Sequence, residues 1–355
     1  MKRIVIVGGG IAGTFAAIRI KENHHDYLVS IFEHNDKLLK KIYATGNGKC
    51  NFANQGEIDN KYHNQEFVEP ILSSFTYKDI ISYFYNIGVV SKEIGNLIYP
   101  YSESAETVAN KLLQRVDELH IDVHLDEDVK DYDEHKIITN KGEYPYDALI
   151  ISVGGKSSPQ LGSDGSFFSV LERHGYEIRN MNPSLCPIVC KENTKKAEGL
   201  RHKGLVSLYQ GKKLVHQEEG EILFKKDGLS GIVIFNMSHY INELNNKDNV
   251  YIEIDFAPNQ IEKCDSLLHP KLAKYLLDNQ LDIHHTKFAF KKFYDYQFSQ
   301  VTSGGIGISN LTNDLSSKIE KNVFFIGEAI DVNAVCGGFN IMWALSSAYH
   351  VSQKL

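Results

Sequence analysis

The sequence predicts an α/β fold with an inserted β-rich domain. Three observations predict it. A β-branched run, Arg3-Ile-Val-Ile-Val7, leads through a glycine-rich turn into helical spacing. A second buried run, Tyr146 to Val153, ends in the double glycine Gly154-Gly155. From Asn182 to about residue 300 the pattern changes to short alternating strands.

The chain has 355 residues, enough for two or three domains at about 150 residues each. With 42% hydrophobic and 23% charged residues, 27 Gly and 8 Pro, it reads as a folded globular chain and excludes collagen-like, coiled-coil or disordered classes. Lys and Arg number 38 against 45 Asp and Glu, a balance of −7 that repels phosphate backbones and anionic membranes. The expected partner is a small-molecule substrate, with no nucleic acid and no membrane. Cys50, Cys186, Cys190, Cys264 and Cys336 are odd in number and mostly far apart, which suits reduced thiols and a cytoplasmic location. The apolar stretch Ile4 to Ile20 is interrupted by four glycines and lacks a cleavage region, so it does not read as a signal peptide. The sequence carries no signal for an oligomeric state.

Arg3–Val7 has the composition of a parallel strand buried on both faces. Residues 11 to 22 follow with Ile11, Phe15, Ile18 and Ile20 at helical spacing. Between them Gly8, Gly10 and Gly13 match G-x-G-x-x-G in the strand-to-helix context that motif requires. Gly8 permits the tight turn, Gly10 lets the backbone approach a pyrophosphate, and Gly13 allows helix to pack closely on strand. Free N–H groups and the positive helix end favour the pyrophosphate there. The next strand, Tyr27 to Phe32, ends in Glu33, twenty residues beyond Gly13 and placed to accept hydrogen bonds from a ribose diol. A carboxylate there repels a 2′-phosphate, so the dinucleotide is expected to be FAD or NAD rather than NADP.

Helices are expected over 66–88 and 103–119, the second with acids in its first turn. Ile121–Leu125, Val129–Tyr132 and Ile137–Thr139 read as strands, closed by a turn at Asn140 to Gly142. Within the insertion, strands are expected at Leu205–Tyr209, Lys213–Gln217 and Val250–Asp255, with a small helical appendage at Pro270–Asn279. A final helix is expected over Ile341–Gln353.

Four segments are more specific. The loop from Lys40 to Asn54 reads K-K-I-Y-A-T-G-N-G-K-C-N-F-A-N and directly follows the second strand. Gly154-Gly155 is followed by G-S-D-G at Gly162 to Gly165. E-I-L-F-K-K-D-G-L-S-G occupies Glu221 to Gly231. V-F-F-I-G-E-A-I-D, from Val323 to Asp331, leads into C-G-G-F-N at Cys336 to Asn340. Together with the opening motif these segments resemble the bacterial flavoprotein family that includes the BaiN-like and YhiN-like proteins and aminoacetone oxidase, in order along essentially the whole chain.

The resemblance implies a Rossmann-like, two-dinucleotide-type FAD-binding domain assembled from both chain ends, residues 1–185 and 301–355, with the β-rich insertion at 186–300. It implies that Gly8, Gly10, Ile11, Ala12 and Gly13 take the pyrophosphate. Glu33 takes the adenosine ribose, with His34 beside it. The backbone of Val129 meets the adenine. Lys41, Thr45, Gly46, Gly48, Lys49, Cys50 and Asn51 lie along the flavin side, and Gly154, Gly155, Gly327 and Glu328 are further cofactor contacts. Asp331 is expected near the ribityl chain or pyrophosphate. Gly337, Gly338, Phe339, Asn340 and Ile341 put a helix N-terminus against the pyrimidine edge of the flavin. Independently of the family, reduction leaves negative charge around flavin N1 and O2, and a helix N-terminus offers donors and a positive dipole end to receive it. The family carries a longer helical part within the insertion than this chain does.

Cys186 and Cys190 lack the spacing and the second pair of a zinc site, and no metal is expected. Cys50 and Cys336 flank the expected flavin contacts. No second G-x-G-x-x-G follows a strand, so no separate NAD(P)H domain is expected; a nicotinamide would bind transiently over the flavin face, or the substrate itself would reduce the flavin with dioxygen as acceptor. The expected function is an FAD-dependent oxidoreductase moving a hydride between flavin and a small organic substrate, with NAD(P)H as donor. The alternatives are a flavin oxidase of a small amine releasing hydrogen peroxide, and a non-catalytic flavin-binding regulator. No catalytic residue is assigned. Tyr43, Lys49 and Asn340 are open to either substrate or flavin.

Overall fold

The computed structural model describes residues 1–258 and 267–355, so Cys264 lies outside the described residues. The chain divides into two compact units, Met1–Met181 with Val301–Leu355, and Asn182–Gln300.

The first unit is built on a five-stranded parallel sheet in the order Val323–Phe325, Ala148–Ile151, Arg3–Val7, Leu28–Phe32, Asp122–His124. Arg3–Val7 takes the centre because Ile4, Val5, Ile6 and Val7 are apolar on both faces. The first helix, Ile11–Asn23, is buried nearly all round, since it packs against both the neighbouring strands and the last helix, Phe339–Ser352.

The expected helix over 66–88 is two helices, Gln65–Ser74 and Tyr77–Asn86. The break is local chemistry: Thr76 starts the second helix with a reciprocal capping box to Asp79. The helix expected over 103–119 spans Ala105–Glu118. The expected strands are present as Val129–Tyr132 and Lys136–Thr139, which pair antiparallel, and a third strand, Glu143–Pro145, completes a meander. Ala53–Asn54, Leu97–Pro100 and Ser91–Ile94 form a small antiparallel sheet that holds the end of the Lys40–Asn54 loop.

The second unit is a closed barrel of six strands in the order Ile188–Cys190, Gly228–Ser230, Lys213–Lys225, Arg201–Gln210, Val250–Asp255, Thr286–Phe293. The strand expected at Lys213–Gln217 runs on to Lys225, because Gln217 to Leu223 pair with the neighbouring strand. The helix Ile232–Asn242 was not among the expected elements. It is a helix because four of its apolar residues, Val233, Ile234, Met237 and Ile241, join the barrel core along one stripe. Leu272, Tyr275 and Leu276 of the helix Pro270–Asp278 join the same core. Among the described residues no helix is long and apolar enough to cross a membrane.

Candidate functional site

The glycine turn after the first strand is shaped by three different constraints. Gly8 has φ +102°, and a Cβ there would lie 2.5 Å from the Ser152 carbonyl oxygen. A Cβ on Gly13 would lie 2.1 Å from the Gly8 carbonyl oxygen and 2.4 Å from Ser152 Oγ, which is the close helix-on-strand packing read from the sequence. At Gly10 a Cβ would meet nothing within 4 Å among the described residues. Gly10 caps the first helix without a side chain and no acid follows in the first turn, so the N–H groups at Ile11 and Ala12 face outward with the positive helix end behind them. A diphosphate fits that environment.

Glu33 is buried at the carboxyl end of the second strand. Its Oε2 accepts from the Gly9 N–H at 2.8 Å, and its Oε1 accepts from the Asn35 N–H at 2.8 Å and from Asn35 Nδ2 at 2.6 Å. A carboxylate offers about four acceptor positions, so Glu33 keeps room on Oε2 for one hydroxyl. His34 Nε2 lies 3.8 Å from Oε1. Gly9 and Asn35 were missed by sequence reasoning; the extra glycine inside the motif was the signal for the first, and an Asn two residues after the acid for the second.

The Glu127 and Asp126 N–H groups donate to the Glu33 and Asn35 carbonyls, both at 3.0 Å, which brings the start of the meander, and Val129, beside Glu33. Gly162 closes on the same place, since a Cβ there would lie 2.2 Å from Asn35 Nδ2 and 3.0 Å from His34 Nε2. Gly154 packs on Ser163, and Gly155 on Thr302 and Glu328.

The C-terminal segment meets this loop directly. A Cβ on Gly327 would lie 2.8 Å from Ala12 Cβ, and the Gly327 carbonyl accepts from Trp343 Nε1 at 2.9 Å. Lys41 Nζ and Glu328 Oε2 form a half-buried pair at 2.6 Å, and Glu328 Oε1 accepts from the Thr302 N–H at 2.8 Å. Asp331 is buried, accepts from the Gly304 N–H at 3.0 Å and faces His63 Nε2 at 3.3 Å.

Thr45 to Cys50 turns through left-handed residues at Gly46, Asn47, Gly48 and Cys50. Cys50 is fully buried, and burial, only partly offset by the Thr45 contact, pushes its thiol up to about 11. Lys49 is drawn outward to Glu103, 2.7 Å away, while Lys92 also pairs with Glu103; the two ammonium groups hold that carboxyl down at about 2. Asn51 Oδ1 is buried and accepts no hydrogen bond among the described residues. It faces the turn before the last helix: at Gly338, φ +93°, a Cβ would lie 2.9 Å from Asn51 Oδ1 and 2.8 Å from the Ala53 carbonyl oxygen. Asn54 Nδ2 donates to the Gly337 carbonyl at 2.7 Å. Asn340 spends its amide on the Ala334 N–H and C=O, both at 2.9 Å, and Tyr62 donates to the Phe339 carbonyl at 2.8 Å. Phe339 and Ile341 thus start a helix whose N-terminus is backbone alone, beside an amide oxygen without a partner. An orphaned buried acceptor next to free N–H donors matches the alternating donors and acceptors of a flavin pyrimidine ring.

The HI0933-like protein Rossmann domain model matches residues 2–354. The chain belongs to this family. A 3-dehydro-bile acid delta(4,6)-reductase of Clostridium scindens is 28% identical, covering 98% of this chain and 98% of its own length. A ribosomal RNA dihydrouridine synthase of Haemophilus influenzae is also 28% identical, over 97% of this chain and 96% of its own. In fold, this HI0933-like chain is similar to the quinol fumarate reductase FrdA of E. coli, with TM-score 0.55 at 12% identity, covering 100% of this chain and 70% of the other. It is also similar to a 3-ketosteroid-delta4-(5alpha)-dehydrogenase of Rhodococcus jostii, with TM-score 0.50 at 11% identity over 99% and 97% of the two chains. The protein is an FAD-dependent oxidoreductase of the HI0933-like family. Among the described residues, no cluster of three or more His, Cys, Asp or Glu is placed to hold a metal.

Proposed function

We propose that this protein reduces a carbon–carbon double bond conjugated to a carbonyl in a small organic molecule, using NAD(P)H as the reductant of its flavin. FAD, when bound, supplies the hydride chemistry. Gly8 to Gly13 hold its diphosphate, Glu33 its ribose and the Val129 backbone its adenine, in an FAD domain of residues 1–185 and 301–355. The observation that carries the proposal is the Gly337-Gly338 turn beside Asn51. Its N–H groups and positive helix end stabilise negative charge on the flavin pyrimidine edge by about 0.3–1 kcal/mol, up to about 2 when partly buried. That raises the flavin potential and favours accepting a hydride from a nicotinamide. Cytoplasmic residence keeps the thiols of this protein reduced.

The relatives narrow the acceptor. One is named for reducing a 3-dehydro bile acid, the other for making dihydrouridine. In both substrates the double bond is conjugated to a carbonyl, so hydride addition at the far carbon gives an enolate-type anion in each case. A small acceptor suits the charge better than RNA: the first unit carries 22 Lys and Arg against 30 Asp and Glu, the second 16 against 15. The Haemophilus influenzae relative favours a second reading, uridine in ribosomal RNA.

Purified holoenzyme with NADPH or NADH and a panel of conjugated enones is the test. Nicotinamide consumption that requires the enone, with a product two hydrogens heavier, supports the proposal. Reduction of uridine in ribosomal RNA but of no small enone moves the assignment to the second reading, and peroxide release with an amine substrate makes the protein an oxidase.

A further inference from the structure

On the side of the first unit where the meander ends, one histidine bridges two acids. His174 follows the helix Phe168–Arg173 and is mostly buried, its side chain 18% exposed. Its Nδ1 lies 2.8 Å from Glu320 Oε1 and its Nε2 lies 2.9 Å from Asp131 Oδ1. The ring stacks on Tyr132, with centroids 4.0 Å apart and planes 16° from parallel. The remaining oxygens of both acids are occupied. Glu320 Oε2 accepts from Tyr132 at 2.7 Å and from Tyr176 at 2.6 Å, and Asp131 Oδ2 pairs with Arg173 at 3.0 Å.

A neutral imidazole has one N–H, so it can satisfy only one of these carboxylates and must turn a lone pair toward the other. Only the imidazolium satisfies both. The facing titratable groups are therefore Asp131 and Tyr132 from the meander, Arg173 from the helix, Tyr176 from the segment after it, and Glu320 from the loop before the last strand. Burial opposes the charged ring, but the two carboxylates outweigh it and hold His174 above its ordinary value.

The bridge sits on the strand that begins at Val129. That strand is anchored at its start through Asp126 and Glu127 to the Glu33 and Asn35 carbonyls, and near its end through Asp131 and Tyr132 to His174 and Glu320. We propose that His174 is a pH-dependent positioning residue for the adenine end of the cofactor: the imidazolium, clamped between Asp131 and Glu320, fixes the Val129–Tyr132 strand against the dinucleotide site, and its deprotonation loosens that strand and weakens FAD binding. This rests on FAD occupying the site beside Glu33 and Val129. By linkage, a raised folded-state pKa means the clamp is complete below the ordinary histidine pKa of about 6.5 and is lost as pH rises through the raised value.

The test is FAD affinity of the full chain, stripped of flavin and titrated by fluorescence quenching between about pH 5.5 and 9. The expected result is a single inflection above about 6.5, with affinity falling about fivefold or more toward high pH, the lower end of ordinary site-to-site coupling. His174→Gln should bind FAD weakly with no inflection. Glu320→Gln, which keeps a hydrogen-bonding side chain but removes one negative charge, should move the inflection to lower pH, a shift that a merely structural role does not produce. A flat wild-type profile, or an inflection that persists unchanged in His174→Gln, overturns the proposal. Absence of FAD binding at every pH overturns the cofactor assignment itself and this proposal with it.

Discussion

Two glycines of one motif should fail in opposite ways when substituted. Gly10 has φ −69° and ψ −175°, values open to any residue, and a Cβ there meets nothing within 4 Å among the described residues. Gly10→Val should therefore change the stability of the flavin-free protein by no more than about 1 kcal/mol, the scale of an altered helix cap. Its side chain would instead stand in front of the helix N-terminus and keep a diphosphate from the Ile11 and Ala12 N–H groups. Losing one or two charge-assisted hydrogen bonds, each about 1.5–3 kcal/mol, weakens FAD binding roughly tenfold to ten-thousandfold. Gly13→Ala places its methyl 2.1 Å from the Gly8 carbonyl oxygen and 2.4 Å from Ser152 Oγ, more than an ångström inside contact distance. Overpacking of this kind costs about 1–3 kcal/mol or more. It should lower the melting temperature of the flavin-free protein whether or not flavin is later supplied. Thermal denaturation of the flavin-free variants, followed by FAD titration, separates the two effects. A destabilised Gly10→Val that still binds FAD at wild-type affinity would refute the reasoning.

Three further outcomes follow from the site. Gly338→Ala forces a Cβ into a left-handed position 2.8 Å from the Ala53 carbonyl oxygen and 2.9 Å from Asn51 Oδ1; it should push the last helix off the flavin edge and lower the flavin reduction potential, read by dye equilibration. Lys41→Met leaves half-buried Glu328 without its cation and should destabilise the protein by about 1–2 kcal/mol after allowance for solvent screening, whereas Lys41→Met with Glu328→Gln should recover part of the loss, a coupling visible in urea denaturation. Cys50, with its thiol held up at about 11 by burial, should resist alkylation in native protein at neutral pH and react once the chain is unfolded; peptide mapping after iodoacetamide treatment reads this directly.

The parts of the site legible from sequence are those in which one local pattern carries the whole constraint. Gly8 is marked by its positive φ and Gly13 by its approach to the Gly8 carbonyl, although both also close on distant Ser152, and Glu33 follows the second strand at a fixed interval, so each can be read within a short window. Contacts that join distant segments left no such trace. Lys41 meets Glu328, and Thr302 donates its N–H to the same carboxylate, yet nothing near Lys41 marks an anion 287 residues away. Lys49 is drawn to Glu103 by charge rather than toward the last helix, and Asn340 is consumed by its own turn at Ala334. In the fold, the division at Thr76 was hidden because the apolar spacing of two short helices runs on in nearly the same phase, while the capping box that separates them is a polar signal four residues long. Ile232–Asn242 shows the converse: an apolar run favours a strand in isolation and becomes a helix where the barrel core accepts one of its stripes.

On the proposed function, this chain holds FAD as a hydride carrier between a nicotinamide and a conjugated acceptor. The measurement that tests it most directly is the visible flavin spectrum of purified protein under anaerobic conditions, taken after adding NADH or NADPH and again after adding an enone. Bleaching by one nicotinamide and return of the oxidised spectrum with the enone is the expected result. Flavin that stays oxidised with both nicotinamides, or reduced flavin that no conjugated acceptor reoxidises, would contradict it.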